Sequence, residues 1–431
     1  MNSLNCDKWN ANKKINPLTN KRIKENGPVY KKLSKMCDNN LKLHCDKWAA
    51  NKTINPLTKK RIKENGPIYN MFKVACAITK PPKRISSDIN DRINYYNIVK
   101  KYVDDIKLKH KNNCIKFYKI DHDEVQYSVG SNIILHKKLG QGGFGAVYSA
   151  YFRPSDITKR EYCKQFKLVV KICEITNQNR LEIDILLRLT QLITMYKICP
   201  HFPITYGYLV CNKYNYSYSN SMISSAQSST SIYQLKSQSE DFMDKPNLYL
   251  IVNELADSSL RDIIRRNSDI NIAINIILQS MISIVFFQKY IKVSHRDTHE
   301  GNFLCHRIEP GGYYHYRIYK TDYYLENIGY LMVINDFGLV RPLTNKMLMF
   351  DFTKFISSFL KHNSSNPRLD AISHFMKSVI NKFMLIDIES YHNLQFAFYK
   401  HLFKTMNLKF PNHFMTSRPA NVINKTPYII E

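Results

Sequence analysis

Two short segments constrain this chain more than anything else in its 431 residues. The first, HRDTHEGN at 295–302, sets Asp297 and Asn302 five positions apart. The second, INDFG at 334–338, brings Asp336 thirty-four residues after Asn302. An aspartate and an amide at that spacing suit a base beside an acceptor hydroxyl and an oxygen donor to a metal. An Asp-Phe-Gly turn suits a carboxylate that bridges a metal to phosphate oxygens. Any one of these aspartates alone could be a loop cap. Their order along the chain, with the elements upstream of them, gives the pattern its weight.

Upstream, residues 139–148 read LGQGGFGAVY, so Gly140, Gly142 and Gly145 form G-x-G-x-x-G with Val147 two residues on. The same letters open dinucleotide-binding folds, where a helix follows the glycines. Here IILHKKL before the loop and AVYSAY after it are both strand-like. That context predicts a hairpin whose backbone N–H groups lie over phosphates. The candidate nucleotide contacts are Leu139, Gly140, Gln141, Gly142, Gly143, Phe144, Gly145, Ala146 and Val147. Lys171 follows in VVKIC, 26 residues after Gly145, where a strand lysine can hold α- and β-phosphates. Residues 180–192 read as a helix, and Glu182, eleven residues after Lys171, is placed to pair with it. Glu174 is too close to leave the strand. The run NLYLIVNEL reads as a buried strand that ends at Glu254, whose backbone is positioned for adenine, with the polar Asn253 beside that pocket.

At these residues the chain resembles the eukaryotic-type protein kinase superfamily, from about Ile133 to the C-terminus. The resemblance implies an α+β, bilobal protein-kinase-like fold, sheet-rich to about Glu254 and mainly helical after it. It implies ATP and Mg²⁺ as cofactors, with Mn²⁺ as a substitute, and serine or threonine hydroxyls of a protein substrate as acceptors. It casts Asp297, Lys171, Glu182 and His299 as catalytic, Asn302 and Asp336 as metal-holding, and Leu304 as the apolar floor beneath adenine. Two departures matter. The family usually has lysine two residues after the catalytic aspartate, and here His299 stands there, a form similar to haspin-type kinases and to aminoglycoside phosphotransferases. Imidazole can donate to a γ-phosphate, more strongly when protonated. The A-P-E motif is also missing, and only 12 residues separate Gly338 from Asp351, which matches the aspartate of the family's central helix. Arg296 therefore has no evident phosphate partner. A small-molecule kinase and a catalytically silent kinase-fold scaffold are the alternatives. The second would need a lost catalytic residue, and Lys171, Glu182, Asp297, Asn302 and Asp336 are all present.

The N-terminal region is an internal repeat. Residues 6–37 and 45–76 are offset by 39 and identical at 22 of 32 positions, and each copy begins and ends on cysteine. Asn16-Pro17 and Asn55-Pro56 predict turns, and Gly27-Pro28 and Gly66-Pro67 predict helix starts, making each copy a small, mainly helical unit. A unit this short buries little apolar surface and needs further support. A zinc site shared by Cys6, Cys37, Cys45 and Cys76 is one option, although the CxxC spacing of zinc modules is missing. Buried or paired cysteines are the other. The copies resemble the two-cysteine adaptor domain of large nucleocytoplasmic DNA viruses through the bounding cysteines, the N-P-L-T turn, Arg22/Arg61, Ile23/Ile62 and Gly27/Gly66. That resemblance implies a giant-virus protein kinase with an adaptor role for the repeats, acting inside the host cell, in the cytoplasm or viral factory, or packaged in the virion.

Residues 77–132 read as a linker, 212–247 as a disordered insertion poor in aliphatics, and 309–330 as a second, Tyr-rich insertion. The net charge of +28 is uneven: residues 1–80 hold 18 Lys/Arg against 5 Asp/Glu. A basic segment suits an acidic protein partner, with nucleic acid or an anionic surface as other options. The abundance of Asn, Lys and Ile offers a purely compositional explanation. Six cysteines scattered singly through 114–305 predict a reducing compartment. The most apolar run, Ile272–Phe287, is interrupted by Asn275, Gln279 and Ser280 and predicts a buried helix rather than a transmembrane one. No secretory leader is evident.

Overall fold

The computed structural model describes residues 85–109, 115–119, 125–130, 133–143, 145–152, 167–212, 247–266, 269–363, 366–384 and 391–431, with scattered positions before residue 85. The chain divides into two compact units, Met1–Pro81 and Pro82–Glu431.

In the first unit, both copies of the repeat form the same isolated antiparallel bridge, Ile15 with Arg22 and Ile54 with Arg61. In the second copy the Asn55 N–H donates to Lys60 O at 2.8 Å and Ile62 N–H to Thr53 O at 2.8 Å. Trp48 is buried and meets Tyr69 edge-on at 5.5 Å. The four bounding cysteines lie outside the described residues.

The second unit begins with α1 (Ile89–Lys109). Ile89, Arg92, Tyr95, Val99, Val103 and Ile106 are buried at three- and four-residue steps, which makes one helical face of them. Seven strands follow in one antiparallel sheet, in the order β1-β2-β3-β4-β5-β7-β6. They are β1 (Ile115–Lys119), β2 (Val125–Val129), β3 (Ile133–Gly142), β4 (Gly145–Phe152), β5 (Leu168–Glu174), β6 (Thr205–Asn212) and β7 (Asn247–Glu254). Between β5 and β6 lies α2 (Asn177–Thr194), capped by Thr176, whose side chain accepts from Asn179 N at 3.1 Å. The expected linker is therefore not a connector. Residues 89–129 supply a helix and two strands of the same unit, because α1 carries an apolar face that needs the sheet to cover it. Most of the expected disordered insertion, 213–246, lies outside the described residues.

After β7 come β8 (Ser258–Ser259), α3 (Leu260–Arg266), α4 (Ile270–Ile291) and β9 (Val293–Ser294). Next are β10 (Phe303–Arg307), β11 (Tyr313–Ile318), β12 (Thr321–Glu326), β13 (Tyr330–Ile334) and β14 (Arg341–Pro342). The chain closes with α5 (Asn345–Leu348), α6 (Phe350–Asn363), α7 (Pro367–Met384), α8 (Tyr391–Lys409), β15 (Phe414–Met415) and β16 (Tyr428–Ile430). The order β13-β10-β8 forms a small sheet, and β9 pairs with β14. The architecture is thus mixed α and β, with most helices late in the chain. Among the described residues α4 alone is long and apolar enough to cross a membrane, but its side chains from Ile276 to Gln288 are all buried within this unit.

The second insertion proves to be part of the core. Strands β11 and β12 form a hairpin in the sheet β15-β12-β11-β16, burying Tyr314, Tyr316, Tyr323 and Tyr324. Among the described cysteines, Cys173, Cys199 and Cys305 are free and buried, whereas Cys211 is disulfide-bonded.

Candidate functional site

Strands β3 and β4 meet at the glycine loop, where Gly142 pairs with Gly145. A Cβ at Gly145 would lie 2.4 Å from Ile172 O, so only glycine lets the loop's end approach β5 this closely, at a φ of 145°. Gly140, Gly142 and Gly143 have open space where a Cβ would point. Leu139 is exposed, Lys138 and Gln141 are hydrogen-bonded through their side chains, Ala146 is buried and Val147 half-buried. Phe144 lies outside the described residues.

Lys171 sits on β5, paired with Val147 of β4 on one side and Ile251 of β7 on the other. Its Nζ donates to Glu182 Oε1 and Oε2 at 2.6 and 2.8 Å, and it stands 3.7 Å from Asp336 Oδ1. Burial pulls the Lys171 pKa down, but the carboxylates of Glu182 and Asp336 more than reverse this and raise it. Phe337 is fully buried, stacked on Phe287 at 5.2 Å and tilted against His295 at 5.2 Å. One contact escaped the sequence reading: Gln178 Nε2 donates to Gly338 O at 2.6 Å, tying the Asp-Phe-Gly turn to α2, the helix that carries Glu182.

The loop 295–302 is built around Asp351 on α6. This carboxylate is fully buried and accepts from His295 N at 2.9 Å, Arg296 N at 2.7 Å, Ser294 Oγ at 3.0 Å and Gln288 Nε2 at 2.8 Å. Asn302 Nδ2 donates to Asp297 O and Oδ2 at 2.8 and 3.1 Å, and Asn335 N donates to Asn302 O at 2.8 Å, joining the two loops. The Nδ1 of His299 accepts from Gly301 N at 3.0 Å, and its Nε2 is 3.6 Å from Asp297 Oδ2. Lys354, also on α6, donates to Asp297 Oδ1 at 2.7 Å and to Arg296 O at 3.0 Å. Burial alone would raise the Asp297 pKa, but the Lys354 hydrogen bond and neighbouring positive charge hold it below the usual carboxylate value. The Arg296 guanidinium lies over the Phe350 ring at 5.6 Å. Downstream of Gly338, the chain reaches Asp351 through β14 and α5, the latter capped by Thr344.

Two candidates remain, Leu304 and Glu254. Leu304, half-buried, pairs with Ser259 and Val333. Glu254 ends β7. Its N–H is taken by Ile204 O at 3.0 Å, so a backbone contact to a base would fall to its carbonyl. Its side chain is buried against Arg92 of α1, which donates to both carboxylate oxygens and also to Pro200 O at 2.6 Å and Phe202 O at 2.7 Å. Burial would raise the Glu254 pKa, but Arg92 and His306 lower it to about 2. Arg92 had no sequence signal beyond its place in a helical stripe, because its partner lies 162 residues away.

No group of three or more His, Cys, Asp or Glu side chains among the described residues could hold a metal unaided. The site offers Asn302 and Asp336, an all-oxygen pair. With the Asn302 amide nitrogen committed to Asp297, its Oδ1 remains as donor. Such a pair fits Mg²⁺, which keeps waters and takes its other ligands from phosphates.

Residues 5–39 and 44–77 match the family model of the 2-cysteine adaptor domain. Uncharacterized protein 378R of Invertebrate iridescent virus 6 is 56% identical over 32 residues, 7% of this chain and 17% of that protein's length. Among solved structures, the BubR1 kinase domain is similar with a TM-score of 0.30 and 16% identity, covering 58% of this chain and 60% of that one. At that score the likeness adds nothing to the geometry described above.

Proposed function

We propose that residues 82–431 form a protein-kinase catalytic domain that transfers the γ-phosphate of Mg-ATP to serine or threonine hydroxyls of a protein. The observation that carries this reading is the Lys171–Glu182 pair, 2.6 Å apart, with Asp336 Oδ1 3.7 Å from the same ammonium. Lys171 would hold the α- and β-phosphates, kept in place by Glu182. Asn302 and Asp336 would hold Mg²⁺, which neutralises charge on the phosphates when bound. Asp297 would orient the acceptor hydroxyl and take its proton, and the glycine loop would cover the phosphates with backbone N–H groups. Leu304 would lie beneath adenine.

A second reading, a small-molecule kinase, draws on His299 and on the short path from Gly338 to Asp351. That path is filled by β14 and α5, which leaves little chain for docking a peptide. Transfer from labelled ATP to a proteome lysate, with phosphosite mapping, separates the two. Label on protein serine or threonine is expected; label confined to small molecules would overturn the protein-kinase reading. For the repeats we infer an adaptor role inside an infected cell, presenting a basic surface to an acidic partner; the adaptor-family match and the viral relative support it.

A further inference from the structure

Phosphoryl transfer places negative charge between donor and acceptor, so positive charge is needed on both sides of the moving group. Lys171 serves the nucleotide side. On the acceptor side the sequence points to His299, but the structure commits that ring elsewhere. Its Nδ1 accepts the Gly301 N–H at 3.0 Å, and a Cβ at Gly301 would lie 2.8 Å from the ring, so imidazole and glycine together shape the turn. With Nδ1 an acceptor, the ring's other nitrogen, Nε2, lies 3.6 Å from Asp297 Oδ2, so the imidazole's donor faces the base rather than the transferred group.

Lys354 is different. It follows Asp351 by three residues on α6, so the two side chains share a helix face. Asp351 grips the loop's backbone, and Lys354 reaches past it to Arg296 O at 3.0 Å and Asp297 Oδ1 at 2.7 Å. Those bonds use two of the three ammonium protons. The side chain is 35% exposed, so the third proton can face a ligand.

We propose that Lys354 is a positioning residue for Asp297 and supplies the acceptor-side cation of the transfer site, in the place the sequence assigns to His299. This rests on the protein-kinase reading above. Lys354 fixes one carboxylate oxygen of Asp297, leaves Oδ2 toward Asn302, and turns its remaining proton toward the transferred group.

The test uses the full chain with Mg-ATP and dephosphorylated casein, comparing wild type, Lys354→Met, Lys354→Arg and His299→Gln. For Lys354→Met, kcat should fall about 100-fold while the KM for ATP moves less than about threefold, as for an interaction made mainly in the transition state. Lys354→Arg, which keeps charge and donors, should stay within about tenfold of wild type. His299→Gln, which keeps an acceptor for Gly301 N–H, should lose less than Lys354→Met. Unfolding temperatures are measured alongside. If Lys354→Met does not fold, Lys354→Arg carries the test: folded but below a hundredth of wild-type kcat, it overturns the proposal. So does a Lys354→Met that keeps more than half of kcat, one whose loss lies only in KM, or a larger loss for His299→Gln. A wild type that binds ATP but transfers to nothing overturns the kinase reading and this inference together; an active wild type with an unaffected Lys354→Met overturns the inference alone.

Discussion

Replacing Arg92 with Met should unfold residues 82–431 at a markedly lower temperature. The guanidinium is fully buried and is the main counter-charge of an equally buried Glu254 carboxylate. Met has similar bulk but no donors. Without Arg92, Glu254 keeps the Ile204 N–H at 3.1 Å and His306 Nε2 at 3.2 Å, while Pro200 O and Phe202 O each lose the donor that Arg92 gave them. Removing one partner of a buried pair costs about 3–5 kcal/mol, and orphaned carbonyls add to it, so about 5 kcal/mol is the working figure. At roughly 2 °C per kcal/mol for a unit of this size, the midpoint should fall on the order of 10 °C. Circular dichroism melts of wild type and variant at pH 7 read this directly. Adding Glu254→Gln, which keeps an acceptor for Ile204 N–H but removes the uncompensated charge, should restore at least half of the loss. A drop below about 3 °C for Arg92→Met, or no recovery in the double variant, would refute the clamp.

Acid should weaken the fold through His201. Burial lowers its pKa to about 4, with Met332 O and Tyr316 Oη as ring partners, so the folded state holds it neutral while the unfolded chain protonates near 6.5. Its contribution is complete above about pH 6.5 and falls toward pH 4, with about 2 kcal/mol lost by pH 5; melts from pH 7 to 5 should show the decline, and a folded His201→Gln variant should show less of it. Deleting residues 1–81 should leave transfer to casein within about twofold, since these residues form their own compact unit, whereas a chain starting at residue 133 should not fold, having lost α1 and Arg92.

The clustering of the candidate site's residues was legible because they form short-range patterns. Asp297 with Asn302, and the glycines with their flanking strands, are neighbours in sequence, and backbone geometry turns that spacing into proximity. The pairing of Lys171 with Glu182 could be read for the same reason, across a strand and the first turns of α2. Contacts that join distant segments left no such trace. Lys354 is one lysine among many, and only the burial of Asp351 aims it at Asp297. Gln178 meets Gly338 because α2 packs on the Asp-Phe-Gly turn, which no local period encodes. Residues 89–129 looked like a connector because their charged positions hide a narrow apolar stripe, legible only once the sheet it covers is known. The hairpin of β11 and β12 looked like an excursion because its tyrosines read as polar, yet their rings are core.

Helix α4 sets a condition on how the chain is made. Its most apolar 18-residue window has a mean hydropathy of 2.0, and 78% of that window is hidden in the finished unit. Its covering elements, β13, α6 and α7, are all encoded downstream of it. At roughly 5–20 residues per second of synthesis, the helix leaves the ribosome seconds before those partners exist. During that interval the apolar side chains of this 22-residue helix lack the elements that bury them in the finished unit. Folding therefore depends on keeping this helix from other apolar surfaces until its partners arrive, and a chaperone that shields nascent apolar helices should raise the yield of folded chain.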